Sequence, residues 1–156
     1  MQEERRLVWR VARRWMEIGH DGRLPRRDEI DRCVMGEDWE NCLLIAVQSP
    51  IEYSRFVSVG VNLAVALCPT DTLAGVLLSR LSRVVAARRG AMIEGGATLS
   101  GVGILYRATL LPLSEDGATI DHVLGAANYR SVSAEEASTL EVTSRTHWLL
   151  ESPIPS

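Results

Sequence analysis

LSGVGILYRATLLPLSEDGATIDHVLGAANYRSV, residues 99–132, is the stretch that decides the fold. It holds two apolar, β-prone runs, Ile104 to Leu113 and Ile120 to Tyr129, flanking Ser114-Glu115-Asp116-Gly117. Asp-Gly supplies a residue that takes positive φ at little steric cost, so two strands can reverse there. The spacing predicts a long antiparallel hairpin. Side chains alternate between the faces of a strand. Ile104, Tyr106, Ala108 and Leu110 therefore share one face, and Leu105, Arg107, Thr109, Leu111 and Leu113 the other. Both faces are largely apolar, so both require cover.

The cover lies upstream. Pro69-Thr70-Asp71 opens a helix with the stripe Leu73, Leu77, Leu81 and Val84, capped by Thr70 or Asp71. Arg88 and Arg89 fall in its last turn, where the dipole favours cations, and Gly90 ends it. Glu3 to Ile18 reads as a second amphipathic helix, with Leu7, Val11, Trp15 and Ile18 on one side and Arg6, Arg10, Arg13 and Arg14 opposite. Its apolar arc, widened by Val8, Trp9, Ala12 and Met16, covers roughly half the circumference. From its own chain or a partner's, this helix is the natural cover for the second hairpin face.

The remaining strands are shorter. Asn41 to Val47 is a continuous apolar run, as in a strand covered on both faces. Tyr53 to Val61 alternates, with Tyr53, Arg55, Val57, Val59 and Val61 on one side. Ala91 to Leu99 is a weaker strand containing Gly95-Gly96. Arg23 to Glu40 reads as a polar connection with one short helical turn around Arg27 to Arg32. Ser133-x-x-Glu136 is a capping-box pattern, and Leu140 to Leu150 an extended or irregular tail. The order helix, two strands, helix, three strands describes an α+β layer architecture. Three segments are expected: an N-terminal helix (1–19), the domain (20–132) and a C-terminal tail (133–156).

Composition excludes several functions. All 17 basic residues are Arg, which removes Schiff-base and P-loop lysine chemistry. A net charge of −3 gives no global attraction to nucleic acid. No apolar run is long enough to span a membrane, and the Arg- and Glu-rich N-terminus is no secretory signal, so a cytoplasmic location is expected. Cys33, Cys42 and Cys68 are widely spaced, without C-x-x-C or a His at ligand spacing; buried thiols are expected rather than a metal site.

Catalytic patterns are weak. His122 follows Asp121, with Ser114 as the nearest nucleophile, but strand alternation is expected to turn Asp121 away from His122. Asp28, Glu29 and Asp31 are read as solvated or Arg-paired carboxylates. Gly101 and Gly103 precede a strand, not a helix, so they make no phosphate loop. No enzymatic chemistry and no cofactor are expected. A hotdog-like thioesterase, with Asp71 as its acid, is the remaining enzymatic alternative.

Several segments form a pattern over about residues 7–131: Trp15 in the first helix, then Gly22-Arg23-Leu24-Pro25-Arg26-Arg27-Asp28-Glu29-Ile30-Asp31, and Val59-Gly60-Val61. The closing hairpin adds Leu111-Pro112-Leu113-Ser114, Asp116-Gly117 and Asp121-His122-Val123-Leu124-Gly125. In order and spacing these resemble a family of small single-domain PAS proteins of alphaproteobacteria. Asn62 to Thr72 is shorter than the helical stretch usual there, which argues against a large enclosed cofactor site. The resemblance implies a PAS-like five-stranded antiparallel sheet with helices on one face, beside the N-terminal amphipathic helix. It also implies a sensory or interaction module in bacterial signalling, without an output domain of its own, passing its signal to a sensor kinase or its regulators.

Two sets of residues follow. A homodimer or signalling-partner interface would use Trp9, Trp15, Met16, Leu105 and Leu111, since aromatic residues and Met are enriched at interfaces. A small-ligand pocket between sheet and main helix, the alternative reading, would be lined by Phe56, Leu77, Leu81, Tyr106 and either Asn128 or Tyr129.

Overall fold

The computed structural model describes residues 2–19, 23–64, 72–99, 102–133, 135–136 and 145–148. Helix α1 spans Gln2–Ile18, α2 Arg32–Met35 and α3 Thr72–Ala87. The strands are β1 (Cys42–Ala46), β2 (Arg55–Val59), β3 (Ala91–Leu99), β4 (Val102–Leu113), β5 (His122–Val132) and β6 (Arg145–Trp148). They form one antiparallel sheet in the order β2-β1-β5-β4-β3-β6. The five expected strands are present. A sixth, β6, lies inside the segment read as a tail and pairs with the outer edge of β3, Ala91 opposite Trp148 and Glu94 opposite Arg145.

The β4–β5 hairpin is the centre of the sheet. Its register runs from Gly103 opposite Val132 to Leu113 opposite His122. The turn is tied by Asp116, whose carboxylate accepts from the Ala118 and Thr119 amides at 2.8 and 2.7 Å, and Gly117 takes φ +78°. Those amides hold the Asp116 carboxyl below its usual range. β5 also pairs with β1, Leu43 opposite Gly125 and Ile45 opposite Val123, which joins the first hairpin to the last. β1 is buried on both faces along most of its length, as its continuous apolar run requires.

Each helix takes one face. The buried stripe of α3, Leu77, Leu81 and Val84, packs over β3 and β4, where Ala91, Ile93, Ile104, Tyr106, Ala108 and Leu110 are buried. α1 packs over β4 and β5 on the opposite face and hides one end of it, Thr109, Leu111, Leu113, Leu124 and Ala126. The second hairpin face is thus covered by the chain's own helix. Leu7, Val8, Val11, Ala12 and Trp15 are all buried, which absorbs most of the wide apolar arc.

Arg23 to Glu40 holds more structure than one turn: short 3-10 turns at Arg27–Glu29 and Gly36–Asn41 flank α2. The Asp31 carboxylate caps α2 by accepting from the Val34 amide at 3.0 Å. Ser133 caps in the same way, its hydroxyl accepting from the Glu136 amide. Cys42 is in the core, whereas Cys33 is exposed, against expectation, because it sits on the wet side of α2. Cys68 and the capping residues Thr70 and Asp71 lie outside the described residues. Main-chain bonds end the first hairpin at Gly60, whose amide donates to the Cys42 carbonyl at 2.7 Å.

Candidate functional site

α1 is held in place by two sets of contacts. At its C-terminal end, the Trp15 indole Nε1 donates to the Pro112 carbonyl oxygen at 2.9 Å. β3 begins opposite Leu110, so β4 runs past it and its edge is open from Leu111 onward. Proline lacks a ladder donor and is tolerated at such an edge, but its carbonyl still needs a partner. Trp15 supplies that partner. Two residues on, the Ser114 amide donates to the Pro25 carbonyl at 2.9 Å. Trp15, Leu24-Pro25 and Leu111-Pro112-Leu113-Ser114 therefore meet at one sheet edge.

The second set is ionic. Arg10 donates twice to Asp38, at 2.8 and 2.7 Å, and Arg14 donates to Asp38 Oδ2 at 3.0 Å and to the Met35 carbonyl at 2.9 Å. The Arg10 hydrogen bonds hold the Asp38 carboxyl below its ordinary value and raise the Arg10 guanidinium in turn. Cys42 Sγ sits 3.2 Å from the Asp38 carbonyl, and burial pushes its thiol up to about 12. This thiol is inert at neutral pH.

With α1 so placed, the expected interface residues divide. Trp15 and Leu111 are buried in the chain's own core and cannot meet a partner in this fold. Trp9 is 49% exposed. Met16 and Leu105 are half-buried. Beyond α1, the sheet face becomes polar: Glu94, Arg107 and Asn128 stand side by side across three strands, with Arg107 Nε 3.4 Å from Glu94 Oε2. Leu105 lies one step further along, opposite Arg130.

The expected pocket residues divide as well. Leu77 and Leu81 on α3 and Tyr106 on β4 are fully buried between helix and sheet. Tyr106 pairs with Tyr129 on β5 and with Gly95 on β3. Asn128 points to the opposite face, beside Arg107, because it is the residue next to Tyr129 along the strand. Phe56 is in register with Ile45, and so with Val123, six residues from Tyr129 along β5. At ~3.3 Å per residue that is about 20 Å away, too far for a shared small ligand. Between them, the space over Gly125 is filled: a Cβ there would stand 2.7 Å from Leu43 Cδ1.

One catalytic expectation is corrected. Asp121 does orient His122, with Oδ1 2.7 Å from Nδ1, while its Oδ2 accepts from the Glu115 amide at 2.7 Å. Asp121 precedes the first residue of β5, so strand alternation does not constrain it. Ser114 completes no triad in this arrangement. It is buried, its hydroxyl 2.6 Å from the Thr119 carbonyl and 3.1 Å from Asp116 Oδ1, inside the turn. Asp28 and Glu29 are paired with Arg26 and Arg23, as expected of surface carboxylates. The Arg26 amide and then Arg23 lower the Glu29 carboxyl. No group of three metal-ligating side chains occurs among the described residues.

Two features were missed by sequence reasoning. Asp38 sat in a segment read as polar connection; its only local signal was an acid beside apolar Trp39 and Leu43. The alternation expected over Tyr53 to Val61, with Arg55, Val57 and Val59 on one side, is broken by a bulge at Val57: Val59 opposite Leu43 and Phe56 opposite Ile45 share one face, Ser58 and Arg55 the other. Tyr53 is 70% exposed and Val61 67%.

No family model, curated protein or solved structure matches the chain. Among the described residues, no helix is long and apolar enough to cross a membrane.

Proposed function

We infer that this chain is a PAS-type sensory or protein-interaction module of cytoplasmic bacterial signalling, acting without enzymatic chemistry through a partner protein or a homodimer. Its support from the fold is the element order, with the first hairpin closed onto β5 and the main helix on one face. Its support from the residues is that three of the segments carrying the PAS resemblance touch one another: Trp15, Pro25 and the Pro112–Ser114 stretch converge on the β4 edge.

The observation that carries the binding reading is Trp9. A Trp side chain half-exposed on a helix whose Leu7, Val8, Val11 and Trp15 are buried leaves apolar area without intramolecular use. Its neighbours Arg10 and Arg14 are engaged with Asp38, so the helix presenting it is rigidly seated.

The test is affinity purification of the tagged chain from its native cell, beside a Trp9→Arg variant. A sensor kinase or kinase regulator enriched by the wild type and lost with Trp9→Arg is the expected result. Reproducible absence of any signalling protein from the wild-type fraction overturns the reading.

A further inference from the structure

Asp121 and His122 form a side-chain pair that the binding reading does not use. Asp121 Oδ1 lies 2.7 Å from His122 Nδ1, and Oδ2 accepts from the Glu115 amide at 2.7 Å. The main chain of Asp121 is fixed as well. Its carbonyl accepts from the Val47 amide at 3.0 Å, and its amide donates to the Leu113 carbonyl at 3.1 Å. A carboxylate so held only accepts, so Nδ1 carries the proton and the neutral ring keeps its lone pair on Nε2.

That lone pair is accessible. Nε2 makes no hydrogen bond among the described residues and is not a buried atom, so it faces solvent. The register explains this: His122 is the first residue of β5, opposite Ala46 at the end of β1 and Leu113 near the turn. The imidazole therefore stands at the rim of the sheet, 19% exposed, beside buried Leu113.

Its neighbours narrow what this nitrogen does. A general base needs a hydroxyl to deprotonate, and the Ser114 hydroxyl is turned into its own loop, toward Thr119 and Asp116. Acyl transfer needs amides aimed at the developing oxyanion, and the Glu115 and Val47 amides are occupied by Asp121. Phosphoryl transfer asks least of the surrounding protein, because its loose transition state involves little covalent chemistry beyond an aligned nucleophile. An imidazole nitrogen is such a nucleophile.

We propose that His122 is a phosphoryl acceptor, modified on Nε2 by a small donor of the phosphoramidate or acyl-phosphate class. Nε2 attacks phosphorus and forms the new N–P bond. The donor's own bond to phosphorus breaks, and its electron pair leaves on ammonia, from a zwitterionic phosphoramidate, or on a carboxylate. Nδ1 keeps its proton in the bond to Asp121, whose negative charge stabilises the positive charge developing on the ring. Nothing is oxidised or reduced. The chain is modified once and does not turn over.

This goes beyond the binding reading and stands on the Asp121–His122 geometry alone. The test is incubation of the full chain with potassium phosphoramidate, an alkaline quench, and peptide mapping by mass spectrometry. The chain's other histidines, His20 and His147, serve as internal references. An acid-labile phosphoryl group is expected on His122, formed about tenfold faster than on either reference. His122→Gln, with unchanged circular dichroism, is expected to lose that label alone. Asp121→Asn exchanges a charge-assisted hydrogen bond for a neutral one. It is expected to slow labelling of His122 about tenfold and to leave the references unchanged. No label on His122, labelling of all three histidines at one rate, or a rate unaffected by Asp121→Asn overturns the proposal.

Discussion

Trp15 and Pro112, separated by 97 residues in sequence, share a hydrogen bond of 2.9 Å from indole to carbonyl. It joins the first helix to the overhanging end of the central hairpin. The carbonyl is buried on the side of β4 that β3 does not reach among the described residues, so the indole is its replacement for a ladder bond.

Trp15→Phe keeps an aromatic ring in the core and deletes only the donor. It is expected to cost about 1–3 kcal/mol, the penalty of an unsatisfied buried carbonyl plus some lost volume. Urea unfolding monitored by circular dichroism measures this. A cost near zero would mean that water takes the place of the indole.

Asp38 links stability to pH. Its carboxyl is held below the ordinary value by Arg10, so its stabilising contribution is complete above the unfolded-state pKa. The contribution is lost as pH falls through the lower folded-state value. Asp38→Asn is therefore expected to be less stable than wild type at pH 7, by about 2 kcal/mol. The difference should shrink steadily below pH 4. Melting temperature against pH for both chains checks the sign; parallel curves down to pH 2 contradict it.

Gly60 and Gly125 are both closely approached, by different obstacles. A Cβ at Gly60 would stand 2.3 Å from the Glu40 carbonyl oxygen, a backbone atom held by the Asn62 amide. At Gly125 it would meet the Leu43 side chain, which can rotate. Gly60→Ala is expected to cost about 3 kcal/mol or more, and Gly125→Ala about 1–2 kcal/mol. Equal costs in denaturant titrations would show that the backbone around Glu40 yields as readily as a leucine.

Arg88 follows α3 with φ +57°, a conformation that favours glycine. Its guanidinium donates to the Gly117 carbonyl at 2.8 Å and to Ala118, holding the helix end against the hairpin turn. Arg88→Ala loses these bonds and keeps the strain; Arg88→Gly loses the bonds and relieves it. Glycine is expected to be the more stable variant by about 1 kcal/mol. The reverse order in thermal unfolding would place the strain elsewhere.

Much of the fold was legible in local pattern. Asp116-Gly117 between two apolar runs marks the hairpin, and the Leu77, Leu81, Val84 spacing marks α3. The Leu7, Val11, Trp15 spacing likewise marks α1. The candidate sites were less legible, because burial is set by neighbours. Trp15 and Trp9 both lie within the apolar arc of α1, yet one reaches Pro112 and the other faces water. Phe56 and Tyr129 share a sheet face, yet the register puts them at opposite ends of it.

Periodicity and turn chemistry act over a few residues, so the sequence by itself determined the helices, the hairpin and the two apolar faces of β4. Contacts between segments far apart in the chain depend on register and packing. Tertiary structure alone decided that β1 lies beside β5, that β6 extends the sheet, and that Asp121 reaches His122. It also decided that α1 covers its own chain's sheet, and that Val57 and Val59 of β2 are exposed.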